Sequence, residues 1–251
     1  MTAFFIGNSY CNLCQADERH MTYEIVNSIE GLIAKGIRPV RGAAQSARLP
    51  GSKRAWFLWL SRVKESTEYS LRDIEMTDDI VTFTAFRNNS GRDYGISLHK
   101  VIYELRPDVN AIFCTMNPYT VSAVNRGLKL VHAEAALILG DVPIVVHESL
   151  PDRTDSFAIK SLANASVGEP LRPVRTIVIR QKGVIGLGAC VHEARAFIEI
   201  IEEWARFEMV AFMHGSPRNV LTIEQLRKPG ARYARSIKFG GRQISSTYSA
   251  Q

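Results

Sequence analysis

Two sulfur-bearing side chains close a short apolar run near the middle of the chain. The stretch Asn110-Ala111-Ile112-Phe113-Cys114-Thr115-Met116-Asn117-Pro118 ends in small or sulfur-bearing residues and then an Asn-Pro turn. In an extended strand successive side chains take opposite faces, so Cys114 and Met116 share one face and Thr115 takes the other. The end of a buried strand is where side chains commonly meet a ligand in an α/β sheet. A thiol there can act as a nucleophile once deprotonated, and a thioether offers a soft contact. Both are equally at home as flexible core-fillers. A second sulfur pair, Cys11-Asn12-Leu13-Cys14, has the spacing that can begin a zinc or redox site. No second such pair follows, and His20 alone cannot complete a four-ligand set, so a loop carrying two cysteines is the simpler reading.

The elements that must position Cys114 and Met116 follow from periodicity. Leu98, Val101, Ile102 and Leu105 lie on one face of a helix, which Arg106-Pro107-Asp108 stops. Met21, Ile25, Ile29 and Leu32-Ile33 mark an earlier amphipathic helix, closed by a cation and a glycine at Lys35-Gly36. Strands are predicted around Val40–Leu49 and Ala55–Leu60, joined by the turn Pro50-Gly51-Ser52, and at Ile80–Phe86, where Val81, Phe83 and Ala85 alternate with threonines. Past Pro118, short helices are predicted at Thr120–Arg126 and His132–Leu139, a buried strand at Val142–His147, and helix over residues 151–165. Val174–Arg180 and Val184–Gly188 read as strands flanking Gln181-Lys182-Gly183, and Ala194, Phe197, Ile198, Ile201 and Trp204 as the buried stripe of a long helix. Strands and helices alternate irregularly and include adjacent hairpins. The expectation is therefore one α/β/α domain, a mixed central sheet with helices on both faces.

Composition narrows the function classes. The chain has 251 residues, 46% hydrophobic and 22% charged, as a globular protein with a real core should. No apolar run approaches the roughly 18–20 residues of a membrane span. Residues 1–20 include Asp17, Glu18 and Arg19 and lack the apolar region of a signal peptide. Four scattered cysteines point to a reducing compartment, so a cytoplasmic protein is expected. The net charge of +6 raises nucleic-acid binding. The C-terminal forty residues hold Arg218, Arg227, Lys228, Arg232, Arg235, Lys238 and Arg242 against Glu224 alone. No reader motif accompanies that charge, so nucleic acid is not the expected partner. The chain divides into an irregular segment (1–21), the α/β domain (22–215) and a basic tail (216–251).

Taken in series, several fragments resemble the class II aldolase/adducin family, whose fold is that of fuculose-phosphate aldolase. They are Leu98-His99, Ile102-Tyr103, Arg106-Pro107-Asp108-Val109, Ala111-Ile112, Pro118, Ser122-Ala123, Leu139-Gly140-Asp141-Val142-Pro143 and Gly183 with the Glu193-Ala194 helix after it. The resemblance implies a homo-oligomer, commonly a tetramer with its site between subunits, and a small anionic substrate. It also implies a divalent metal held by a His-x-His-Pro motif and a later Asn-His-Gly. Here those histidine positions are Cys114, Met116 and Lys182, and the family's catalytic glutamate falls on Gly95, after Asp93-Tyr94. The phosphate-binding turn looks like Ala43-Ala44-Gln45-Ser46, which keeps only the serine. A thioether is a poor zinc ligand and an ammonium repels a cation, so neither metal nor cofactor is expected.

Two readings follow from the resemblance. In one, the pocket is repurposed for metal-independent lyase-type chemistry on a small carbonyl or carboxylate compound. Lys182 and Cys114 would then be catalytic, and Ser46, Asp93, Tyr94 and Met116 would contact substrate. Lys182, buried near Cys114 and Met116, would stabilise an enolate or form a Schiff base, and it would lower the pKa of the Cys114 thiol. In the other, the chain is a non-catalytic member that binds a ligand or a partner protein, as adducin does. His99, on the apolar face of its helix, reads as a hydrogen-bonded core histidine.

Overall fold

A computed structural model describes residues 18–40, 43–62, 69–76, 93–126, 144–147, 174–180 and 182–215, with isolated positions 128, 135, 138 and 139. The Cys11/Cys14 pair, the strand expected at Ile80–Phe86, the helix expected over 151–165 and the basic tail lie outside the described residues.

Helix α1 (Glu18–Ala34) buries Met21, Ile25, Ile29 and Leu32, the apolar stripe anticipated for it. Strands β1 (Arg38–Pro39), β2 (Ala44–Arg48), β3 (Ala55–Arg62) and β4 (Tyr69–Met76) follow, then α2 (Asp93–Leu105), β5 (Ala111–Met116) and α3 (Pro118–Val124). The described chain closes with β6 (Ile144–His147), β7 (Thr176–Ile179), β8 (Gly183–Gly188) and α4 (Val191–Met213). The sheet runs β4-β3-β2-β5-β8-β7-β6, with β1 pairing to β5 off this path. It is mixed as expected: β6 and β7 are parallel and the other pairs antiparallel.

Both faces are covered. On one, Leu98, Ile102 and Tyr103 of α2 pack with Phe57, Ile112, Cys114, Ile185 and Leu187. On the other, α1 and the first turns of α4 pack with Ala47, Leu58, Ala111 and Phe113. Further along α4, Phe197, Ile201 and Trp204 are fully buried, and burying each large side chain contributes about 1.5–3 kcal/mol. The core thus clamps β5 between two helical layers and fixes where its C-terminal end emerges.

Candidate functional site

The end of β5 is shaped by what flanks it. Strand β2 pairs with β5 only through Ser46 opposite Ile112 and Ala47 opposite Ala111. Beyond that point the Gln45 carboxamide substitutes for a strand. Its Nε2 donates to the Cys114 carbonyl at 2.9 Å, and its Oε1 accepts from the Cys114 N–H at 2.7 Å. The gap so bridged admits β1, which sets Arg38 opposite Met116 and Pro39 opposite Thr115. On the other side β8 pairs Cys114 with Ile185 and Thr115 with Val184. Cross-strand partners share a face, so Cys114, Met116 and Arg38 belong to the α2 side of the sheet.

Gly183 brings the β7–β8 turn against β5. Its φ is +148°, a conformation L side chains rarely adopt, and a Cβ there would strike the Thr115 carbonyl oxygen. Lys182 immediately precedes it, and its N–H donates to the Ile179 carbonyl. The turn therefore carries Lys182 to the end of β5, beside Met116. Arg38 and Lys182 are both exposed, one on each side of β5.

Beneath this end lies a buried polar chain. His99 is fully buried on α2 and stacks on Phe57 with ring centroids 5.8 Å apart. Its Nδ1 is 2.7 Å from Ser46 Oγ, which is 2.8 Å from Tyr103 Oη, and its Nε2 is 3.6 Å from Cys114 Sγ. Arg48 lies over the Tyr103 ring, 4.4 Å from its centroid. Burial lowers the His99 imidazole to about 3 and pushes the Cys114 thiol up to about 12. Both groups are neutral at physiological pH.

After β5 the chain turns at Asn117-Pro118 into α3. Asn117, at the N-cap, does not cap: its Oδ1 accepts from Thr115 Oγ1 and its Nδ2 donates to the Ile198 carbonyl. Buried Glu202 of α4 takes over, accepting from the N–H groups of Tyr119 and Thr120 and from the Thr120 hydroxyl. Glu202→Ala should destabilise the fold by about 2 kcal/mol, since it frees the cap and strips a buried carboxylate of its three donors. Urea unfolding measures this, and a loss below about 0.5 kcal/mol would mean the cap contributes little.

Several expectations change against this geometry. Lys182 is exposed, not buried, so the Schiff-base role that burial was to create has no basis here. Cys114 is not a thiolate of lowered pKa, because desolvation favours the neutral thiol. Ser46 is fully buried with its hydroxyl committed to His99 and Tyr103, so it positions a neighbour instead of touching substrate. Met116, partly buried, shares the Cys114 face as expected. Asp93 and Tyr94 open α2, and their side chains lie outside the described residues. His99 is the hydrogen-bonded core histidine anticipated. Arg38 escaped sequence reasoning, because only the β1–β5 register reveals its place.

A divalent metal would need donors that this end of β5 does not supply. Cys114 is a protonated buried thiol engaged with His99, Met116 offers a thioether, and Lys182 brings a positive charge. Among the described residues, no group of three or more His, Cys, Asp and Glu side chains is arranged to hold a metal ion. No described helix is long and apolar enough to cross a membrane.

The model of the class II aldolase and adducin N-terminal domain matches residues 46–209. An L-fuculose phosphate aldolase from Methanococcus maripaludis is 28% identical over 118 residues, 46% of this chain and 59% of that relative. The chain thus matches about three-fifths of that relative's length. In solved structures, an L-fuculose 1-phosphate aldolase superposes with a TM-score of 0.66 at 17% identity, covering 87% of this chain and 97% of its own. An aldolase II superfamily protein from Pseudomonas syringae gives 0.64 at 15% identity, covering 88% and 92%. At such identities these two structures speak to the fold alone.

Proposed function

The chain belongs to the class II aldolase and adducin family, and from that premise we propose that it is a divergent, metal-independent member of lyase type. Its substrate is a small carbonyl or carboxylate compound bearing an anionic group. The observation that carries this reading is the pair of exposed cations, Arg38 and Lys182, that bracket Met116 where β5 ends. Two positive charges at one strand end attract a carboxylate or phosphate and stabilise an enolate developing beside them. Arg38 can hold such a group through two parallel N–H donors, while Lys182 acts as a point charge. Asp93 and Tyr94, at the start of α2, complete the proposal as substrate contacts, with Met116 forming the apolar floor. The protein would act in the cytoplasm as a homo-oligomer, a tetramer in the family pattern, with partner subunits closing the site.

The experiment is a turnover screen of small phosphorylated and carboxylated hydroxy-ketones and keto-acids, run in excess EDTA. Cleavage or decarboxylation that persists in EDTA supports the reading, and turnover that appears only with added zinc overturns it. Saturable binding without turnover of any compound would favour the non-catalytic alternative, a ligand- or protein-binding member of the family.

A further inference from the structure

The buried chain beneath β5 has the arrangement of an activated nucleophile. Such sites need a nucleophile and a base in hydrogen-bond reach, with the base oriented by a third group. Cys114 Sγ and His99 Nε2 are 3.6 Å apart, and Ser46 Oγ meets the other ring nitrogen at 2.7 Å, itself held by Tyr103 at 2.8 Å. The imidazole with its proton on Nδ1 donates to Ser46, Ser46 donates to Tyr103, and the Nε2 lone pair is left facing the thiol. Stacking on Phe57 fixes the ring plane. Cys114 sits one step inside partly buried Met116 on the same strand face, within reach of a small molecule docked at the strand end.

We propose that Cys114 is a catalytic nucleophile activated by His99, with Ser46 and Tyr103 as positioning residues, and that it adds to the carbonyl carbon of the substrate. The identity of that substrate, an anionic carbonyl compound, rests on the reading given under Proposed function. In the step, the Cys114 Sγ–carbon bond forms and the carbonyl π pair moves onto oxygen. The thiol proton passes to His99 Nε2 and from there to that oxygen, giving a thiohemiacetal with no change of oxidation state. A neutral imidazole is the form such a base requires, and the burial of His99 maintains it. Tyr103 is the titratable group facing the Cys114–His99 pair from the same helix, and Arg48 the charged group beyond it.

The test is alkylation of the folded protein with iodoacetamide, read at the Cys114 peptide by mass spectrometry. There the Sγ–carbon bond forms, iodide leaves, and the thiol proton goes to His99. The wild-type rate should vary less than about threefold between about pH 6 and 8, whereas an unassisted thiol speeds up about tenfold per unit as its thiolate fraction grows. His99→Asn should slow labelling at least tenfold and restore the steep profile. Ser46→Ala and Tyr103→Phe should slow it severalfold, and they decide the matter if His99→Asn fails to fold. No labelling of native Cys114, a tenfold-per-unit rise in the wild type, or equal rates in all variants would each overturn the proposal. Iodoacetate run in parallel separates it from the anion reading. A preference for iodoacetate that Lys182→Met removes, with no dependence on His99, would sink only the nucleophile. Dependence on His99 without any charge preference would sink only the anion site.

Discussion

Gly183→Ala should destabilise the protein by about 3–5 kcal/mol and weaken anion binding in the same stroke. Two effects combine. The backbone φ of +148° is strained for any residue with a Cβ, which costs about 1–3 kcal/mol. The added methyl would also meet the Thr115 carbonyl oxygen and approach Val40 Cγ2 at 2.8 Å, and overpacking of this kind costs a further 1–3 kcal/mol or so. Thr115 is buried and tied to Asn117, so β5 cannot yield easily. The β7–β8 turn must move instead, taking Lys182 with it. Urea unfolding and phosphoglycolate titration measure the two consequences. A variant within about 1 kcal/mol of wild type would mean that the approach of this turn to β5 is not required.

Lys182→Met should have the opposite signature, with little change in stability and a large change in binding. The side chain is exposed and methionine keeps most of its stem, so unfolding should shift by no more than about 0.5 kcal/mol. Affinity for phosphoglycolate should fall roughly tenfold to a hundredfold, the usual effect of losing one charge-assisted hydrogen bond to an anion. Lys182→Arg should keep most of the affinity. Equal affinities for wild type and Lys182→Met would remove Lys182 from the site and leave Arg38 without its counterpart.

How far the chain could be read beforehand follows from local pattern. The stripes of α1, α2 and α4 and the apolar runs of β5, β7 and β8 are periodic over their own length, so each was legible without its neighbours. Strand β4 was not, because Tyr-Ser-Leu-Arg-Asp-Ile-Glu-Met has no clean alternation, and as an edge strand it needs none. Strand β1 is only two residues long, below any periodic signal. Cys114 and Met116 stood out because strand geometry alone assigns them a shared face. What surrounds them did not. Ser46 and His99 lie 53 residues apart and the Gln45 bridge to Cys114 spans 69, contacts that only the strand order creates. The burial that keeps Cys114 protonated is likewise a property of the packed layers, invisible in the residue type.

The most direct measurement for the central claim is calorimetric titration of phosphoglycolate in excess EDTA, on wild type and on the double variant Arg38→Ala/Lys182→Met. The account predicts saturable, salt-sensitive binding to the wild type, unaffected by EDTA and lost in the folded double variant. Binding that vanishes in EDTA and returns with zinc, or that survives in the double variant, would contradict it.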